Sequence, residues 1–416
     1  MTSNSAGLRI LIVGGGLAGW AAASFLREQN DVTVLERSKL DFSRNDYAIG
    51  VAPNTHRLLL EQGIEDSHLK ATDLTYARSL GVGCNSFQIW ACDAEGKLVR
   101  ETISESLARF LATGDRRPGK PAHVIEEAKI TAIDVVQGII TTEGGGTYSG
   151  DLIIGADGIN SAVRAAVLSA HSGSVDVAGG AAAVPSGLAA YLCTVPKAML
   201  RDDPVLAFQT GEKSGMAAFL GTHPRKRVLV LPADSENFQI VAYHPEDRWV
   251  ERFTQSRSSI IKDVPTERAV EDFVDFHPSV QKMLASAITL DVWRIRDLDQ
   301  LPVWHSGKAI LIGDAAHAVT PHSGHGFNIA IEDGEALGYF LRDVTSAAQI
   351  PAALANFETI RIPRAHMVQL ASRHLGGLLS EEEQKKVGRF DYGAFIAKVH
   401  GYTSAKETWE ALKAGE

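Results

Sequence analysis

The sequence predicts an α/β fold: a Rossmann-like domain assembled from discontinuous segments, an inserted mixed β-sheet domain, and a helical C-terminus. Three observations predict it. A short buried run at 8–13 leads into glycines at 14, 15, 16 and 19 and then an alanine-rich stretch. Two later apolar runs, near 152 and 310, also end in a glycine, a carboxylate and a helix-like segment. Between those two lies a block of β-rich sequence, 191–243, unlike its flanks. A chain of 416 residues also exceeds one ordinary hydrophobic core, so more than one unit is expected.

Residues 8–13 are continuously apolar, as in a strand buried on both faces. Residues 17–29 then read as a helix and 31–35 as a second buried strand ending at Glu36, which completes a β-α-β unit. Residues 129–154 hold short β-rich pieces broken by Gly144-Gly145-Gly146, which predicts hairpins. Candidate strands of the inserted sheet are 205–209, 216–220, 227–231 and 238–243. Residues 309–312 form another buried strand and 327–342 a helix, and the chain is mostly helical from about 352. The expected partition is 1–75, 98–175 and 288–350 for the nucleotide domain, 76–97 and 176–287 for the substrate sheet, and 351–416 for a C-terminal helical segment.

Composition removes several function classes. Hydrophobic residues make up 45% and charged residues 22%, values of a globular enzyme. The formal net charge of -9 supplies no general attraction to phosphate, so no nucleic-acid partner is expected. Cys84, Cys92 and Cys193 form no Cys-x-x-Cys pair, which excludes a disulfide framework and a metal site and suits a reducing, cytoplasmic setting. Residues 1–7 carry no charged stretch leading into an apolar core, so no secretory signal is expected. No apolar run of about 18 residues could span a membrane. Oligomeric state is not readable.

Each part of the first motif has a physical task. Gly14 permits the tight turn, Gly16 lets a diphosphate approach the backbone, and Gly19 lets helix and strand pack closely. Exposed N–H groups around Leu17 and Ala18, with the helix dipole, attract the diphosphate. Glu36, followed by Arg37, can accept from a ribose diol. This motif alone does not separate FAD from NAD. The second motif runs from Asp151 through Asp157-Gly158 to Ser161 and Arg164. The third runs from Ala309 through Gly313-Asp314, His317 and Pro321-His322-Ser323-Gly324-His325-Gly326-Phe327-Asn328. There Gly324 and Gly326 allow the backbone to lie against a flat ring.

In order and spacing, the three motifs resemble the single-component FAD-dependent aromatic hydroxylases, the salicylate- and 4-hydroxybenzoate-hydroxylase group. Phe276-His277-Pro278, Trp293 and Leu301-Pro302-x-Trp304 resemble the salicylate-hydroxylase-like branch, and the likeness covers nearly the whole chain. The resemblance implies an FAD-binding domain in which Gly14, Gly16, Leu17, Ala18, Gly19, Glu36 and Arg37 hold the ADP half. Arg44, Gly50, Val51 and Arg100 would lie near flavin and pyrophosphate. Asp157, Gly158, Arg164, Gly313, Asp314, Pro321, Gly324, His325, Gly326, Phe327 and Asn328 would complete the cofactor site. Two departures stand out: the run Arg100-Glu101-Thr102-Ile103-Ser104 lacks the usual acid and histidine, and His325 stands where glutamine or alanine is commoner.

The activity implied is an FAD- and NAD(P)H-dependent monooxygenase that transfers one oxygen of O2, through a flavin C4a-hydroperoxide, to an electron-rich aromatic. With one dinucleotide motif only, NADPH or NADH would visit transiently. His322 and His325 are candidate catalytic bases because they lie in the loop expected to face the flavin and titrate near neutral pH; both could equally orient the loop backbone. His317 reads as structural. Tyr191, Tyr243 and His244 could enter the substrate sheet. Relatives carry an arginine and a tyrosine where this chain has Leu192 and Leu231, so an apolar-walled site taking a larger, mostly neutral aromatic is expected. A one-residue register slip would instead let His223, Arg225 or Arg227 supply a charge. A flavin-dependent epoxidase and a flavin-binding protein without turnover are the competing readings.

Overall fold

A computed structural model of the chain describes residues 7–40, 49–64, 72–74, 76–80, 87–90, 98–101, 112–114, 119–172, 182–203, 205–207, 215–223, 225–233, 235–256 and 258–415. Six strands form the nucleotide-type sheet: β1 (Arg9–Val13), β2 (Asp31–Leu35), β8 (His123–Ile125), β12 (Leu152–Gly155), β19 (His305–Ser306) and β20 (Ala309–Leu311). Their spatial order is β19-β20-β12-β1-β2-β8, so pieces far apart in sequence lie side by side. β1 runs parallel to β2 and β12, with Ile12 opposite both Val34 and Ile154. All of Ile10, Ile12, Val34, Ile153, Ile154 and Ile310 are fully buried, as continuous apolar strands covered on both faces must be.

Helix α1 (Leu17–Leu26) packs along the helix Gly326–Leu341. Their closeness comes from small residues. A Cβ on Gly334 would stand 3.1 Å from the backbone of Ala21 and Ala22, and one on Gly338 would stand 3.2 Å from Phe25. The predicted hairpins form a three-stranded antiparallel meander of β9 (Ile130–Asp134), β10 (Ile139–Thr142) and β11 (Thr147–Ser149). Strand β3 (Ile49–Val51) lies antiparallel to β7 (Leu98–Glu101), which also pairs β4 (Thr72–Leu74).

The inserted sheet has eight strands, in the order β17-β18-β13-β16-β15-β14-β5-β6. These are β5 (Tyr76–Leu80), β6 (Phe87–Trp90), β13 (Val184–Pro196), β14 (Gly215–Leu220), β15 (Arg227–Pro232), β16 (Asn237–Pro245), β17 (Ile260–Ile261) and β18 (Thr289–Asp297). Only β14 and β5 pair in parallel, so the sheet is mixed. Two expectations are corrected here. Residues 205–207 form a turn rather than a strand, because Asp203 accepts from Val205 N and Leu206 N; residues 208 and 209 lie outside the described residues. The segment from 288 belongs to the inserted sheet as far as Asp297, since β18 pairs with β13 and sends Leu290 and Val292 into its core.

Side-chain alternation splits this sheet into two faces. Ala189, Tyr191, Cys193, Val228, Val230, Ile240 and Ala242 pack under the helices Val250–Ser256, Thr266–Asp272 and Pro278–Ala285. The opposite face presents Leu188, Ala190, Leu192, Leu229, Val241, Tyr243 and Ile295, which pack with Leu378. The C-terminal part is helical, led by the 27-residue helix Ile350–Gly376. No helix among the described residues is long and apolar enough to cross a membrane.

Candidate functional site

The glycine turn is built as its spacing predicts. Gly14 has φ +105°, and a Cβ there would meet Ala156 O at 2.4 Å. A Cβ on Gly19 would lie 2.0 Å from Gly14 O, so helix and turn can meet only without a side chain. Gly16 precedes α1 as its N-cap, and a Cβ on it would meet nothing within 4 Å. That open side, at the positive end of α1, is where a diphosphate fits. Glu36 accepts from Gly15 N and Ser38 N, both at 2.8 Å. The two amides aim its carboxylate across the turn. Arg37 is exposed beside it, while Leu17 and Ala18 open α1 half-buried.

The third motif returns to the same place. Gly313 has φ +56°, and a Cβ there would stand 2.7 Å from Ala18 Cβ, so β20 and α1 touch. Asp314 is exposed to solvent although burial pushes its carboxyl pKa upward, the combination expected at the floor of an open cleft. Its carboxylate has no side-chain or backbone partner among the described residues. Pro321–Ser323 is a short 3-10 turn closed by Gly324 at φ +70°, where a Cβ would again meet open space. Gly326 and Phe327 open the next helix, whose first-turn N–H groups face back toward this loop. Asn328 ties the loop to β3: its Oδ1 accepts from Ala52 N at 2.7 Å and its Nδ2 donates to Gly50 O and Gly324 O, both at 3.1 Å. Gly50 and Val51 are thereby held against the cofactor loop. Open cradles at Gly16, Gly50 and Gly324, with an unpaired acid at Asp314, fit FAD.

Other predicted residues have different tasks. Asp157 accepts from Ser161 Oγ, from Ala162 N at 2.7 Å and from Val163 N at 3.2 Å, so it caps the helix Ala162–Ser172. Arg164 donates to Ala315 O at 3.0 Å and Ile159 O at 2.6 Å. It braces the Asp314 turn from behind; burial lowers its pKa. Gly158 allows the intervening turn at φ +74°. These placements share one cause. Both loops contain several unpaired backbone groups, and the nearest polar side chains satisfy them first. Arg44 lies outside the described residues. Arg100 sits on β7 with its backbone opposite Gly50 and Thr72.

The candidate bases are also engaged by neighbouring groups. His325 Nδ1 donates to Ser323 O at 2.5 Å, and its Nε2 lies 3.4 Å from His400 Nε2 on the helix Tyr392–His400. It is buried edge-on to Phe395, and burial with nearby His400 pushes its pKa down to about 4. It therefore fastens the cofactor loop to the C-terminal helices. His322 points the other way, toward the inserted sheet. It meets Arg227 Nη2 through Nδ1 and Tyr243 edge-on, with ring centroids 4.9 Å apart. Burial and Arg227 lower its pKa to about 3. A guanidinium only donates, so His322 is neutral with its proton on Nε2. Neither histidine is poised to take a proton near neutral pH.

Tyr191 and His244 face the outer side of the sheet. Tyr191 donates to Asp272 at 2.6 Å and stacks on His244, with centroids 4.5 Å apart. Tyr243, one residue from His244, faces the cofactor loop.

Sequence reasoning missed a buried ion network behind the loop. Asp333 accepts from Gly313 N at 2.9 Å and from His317 at 2.6 Å, and pairs with Arg361 at 2.9 Å. Glu332 pairs with Arg361 at 2.7 Å and Arg364 at 2.6 Å, and accepts from Asn54 at 2.8 Å. Burial raises both carboxyls, yet the opposing cations hold them below their ordinary values. The Glu332-Asp333 pair amid the apolar residues of this helix was the available signal. Among the described residues no cluster of His, Cys, Asp and Glu could hold a metal ion.

The FAD binding domain family matches residues 8–371. Hispidin-3-hydroxylase of Neonothopanus nambi is 29% identical, over 89% of this chain and 89% of that protein. Salicylate hydroxylase of Pseudomonas putida is 28% identical, over 91% of this chain and 87% of that protein. The crystal structure of CtdE in complex with FAD and a substrate superposes with a TM-score of 0.77 at 19% identity, covering 98% of each chain.

Proposed function

From the premise that the chain belongs to the FAD binding domain family, among its FAD-dependent monooxygenases, we propose that it hydroxylates an electron-rich, phenolic small molecule. NADH or NADPH serves as a transient reductant and O2 as co-substrate. The observation that carries this reading is the placement of the cofactor loop. Gly324 borders open space and Asp314 is exposed, while His322, two residues before Gly324, touches Arg227 and Tyr243 of the inserted sheet. An aromatic held on that face would lie between sheet and flavin.

The chemistry FAD supplies when bound is hydride acceptance from NAD(P)H and activation of O2 for transfer to the ring. The protein's part is binding, orientation and exclusion of water. The Gly14–Gly19 turn would receive the diphosphate and Glu36 the ribose. Asp314 would take a contact to the ribityl chain or pyrophosphate. The helix Gly326–Leu341 begins at that loop, and its positive end would favour negative charge on a ring bound there. The apolar face around Ala190, Leu192 and Ile295 excludes water from the reacting position. Tyr243, whose ring meets His322 and Arg227, would serve as a hydrogen-bond donor to a phenol on that face, because burial pushes its pKa to about 12 and keeps it protonated. A reducing, cytoplasmic setting suits the buried, free Cys193.

The test is NADH and NADPH oxidation by the FAD-loaded protein across a panel of phenols, with product analysis. Oxidation that rises with one phenol and yields a product one oxygen heavier supports the reading. An inert flavin across the whole panel, or epoxide formation from an alkene, overturns it.

A further inference from the structure

We infer that Leu378 gates an aromatic seat on Ala190: its side chain covers the seat in the ligand-free protein, and an entering ring displaces it. The inference rests on the reading of this sheet face as the substrate side of the flavin.

The seat follows from the register. Ala190 stands opposite Tyr243 on one neighbouring strand and opposite Trp293 on the other. Leu188 and Leu192 flank it two places away on its own strand, and alternation turns both to the same face. One small residue is thus ringed by four large ones. With strands about 4.8 Å apart, the backbones of β16 and β18 lie roughly 10 Å from each other across Ala190, room for one aromatic ring lying on the sheet. Arg227 is engaged by Leu375 O and His322, and His223 and Arg225 are exposed in the turn before β15. The described walls of the seat therefore carry no charge.

The seat is not open. Ala190 is fully buried, and Leu188 and Tyr243 are almost so. Among the described residues, Leu378 is the one apolar side chain from outside the sheet that packs on this group. The end of the helix Ile350–Gly376 sets its place. Ser372 Oγ accepts from Ser323 N of the cofactor loop at 3.2 Å. Leu375 O accepts from Arg227 at 2.9 Å. Gly376 lies so close to His322 that a Cβ on it would stand 2.2 Å from the ring. Gly377, at φ +66°, then turns the chain, and Leu378 N donates to Arg373 O at 2.8 Å.

The backbone from 372 to 378 is therefore pinned between cofactor loop and sheet. The Leu378 side chain is only half-buried, and Ser380 just beyond it is exposed. Rotation to another staggered rotamer would lift that side chain off the seat without breaking a backbone bond. A fixed backbone with a movable side chain suits a gate. While Leu378 lies on Ala190 it keeps water off an apolar surface. The affinity for a ring is then the intrinsic affinity reduced by the fraction of molecules whose seat is open.

The experiment titrates the FAD-loaded protein with phenol and 4-methylphenol, reading binding from the perturbed flavin spectrum. Leu378→Ala leaves the seat uncovered, so both probes bind roughly tenfold more tightly than to the wild type. Leu378→Phe covers it more fully and binds them roughly tenfold more weakly. Ala190→Val fills the seat and weakens both probes at least as much, with FAD affinity unchanged. Should Ala190→Val fail to hold FAD, the two Leu378 variants decide. Affinity that falls or stays level in Leu378→Ala overturns the inference, because a plain wall residue only loses contacts when shortened. So does an Ala190→Val protein that binds the probes as the wild type does. Tighter binding in Leu378→Ala with no hydroxylated product from any form leaves the gate standing and sinks the hydroxylase reading. Hydroxylation of the probes with affinities indifferent to Leu378 does the reverse. Absence of binding in every form overturns both.

Discussion

Asn328 Oδ1 accepts a hydrogen bond from Ala52 N at 2.7 Å, across 276 residues of sequence. The same amide donates to Gly50 O and Gly324 O. One side chain thus joins β3 to the glycine loop that would lie against the flavin. Its position decides whether that loop is preformed or must be ordered when cofactor binds.

Asn328→Ala removes all three bonds and leaves buried Ala52 N without a partner. The expected cost is about 1–3 kcal/mol, and much of it should appear in cofactor affinity. FAD titration by fluorescence quenching should show roughly tenfold weaker binding. Unchanged affinity would mean that the loop is held by other contacts.

Gly16 and Gly19 should respond oppositely to the same change. A methyl on Gly16 meets nothing in the cofactor-free protein, so Gly16→Ala should melt at the wild-type temperature without FAD and lose FAD binding. A methyl on Gly19 would collide with Gly14 O at 2.0 Å, so Gly19→Ala should unfold or aggregate. Melting curves with and without FAD separate the two. A Gly16→Ala protein that binds FAD normally would remove the diphosphate from this turn.

Asp314→Ala tests the acid at the cleft floor. Its carboxylate has no partner among the described residues, so the protein alone should lose little stability. A charge-assisted anchor for FAD would be lost, at about 2–3 kcal/mol, and the cofactor should wash out on a desalting column. A variant that stays yellow refutes this placement.

His325 predicts a pH dependence. Its folded pKa is about 4, below the unfolded value of about 6.5, because burial disfavours the charged ring. The unfolded chain therefore binds more protons between these limits. Its contribution to stability is complete above about pH 6.5 and is lost as the pH falls toward 4, by at most about 1.4 kcal/mol per unit. Melting temperature against pH should fall less steeply in this window for His325→Gln than for the wild type. Parallel curves would show that other groups set the acid response.

What the sequence by itself determined is the set of features written in short, local patterns. The β-α-β unit, the positions of Gly14, Gly16 and Gly19, the acid Glu36, the meander around Gly144–Gly146 and the helical C-terminus all follow from periodicity and turn chemistry within about 25 residues. The family resemblance rested on three such patterns in order. Tertiary structure alone decided which polar groups are free. In the fold, Asp157 and Arg164 meet backbone groups and His325 meets His400, partners that no local pattern names. It also decided the face of each sheet residue. Tyr243 and His244 are adjacent in sequence and opposite in direction, and only the pairing of β16 with β13 and β15 fixes which one meets the cofactor loop. The same register sets Arg227 opposite Tyr243, 16 positions along the chain, through a hydrogen-bonded ladder that no local pattern announces.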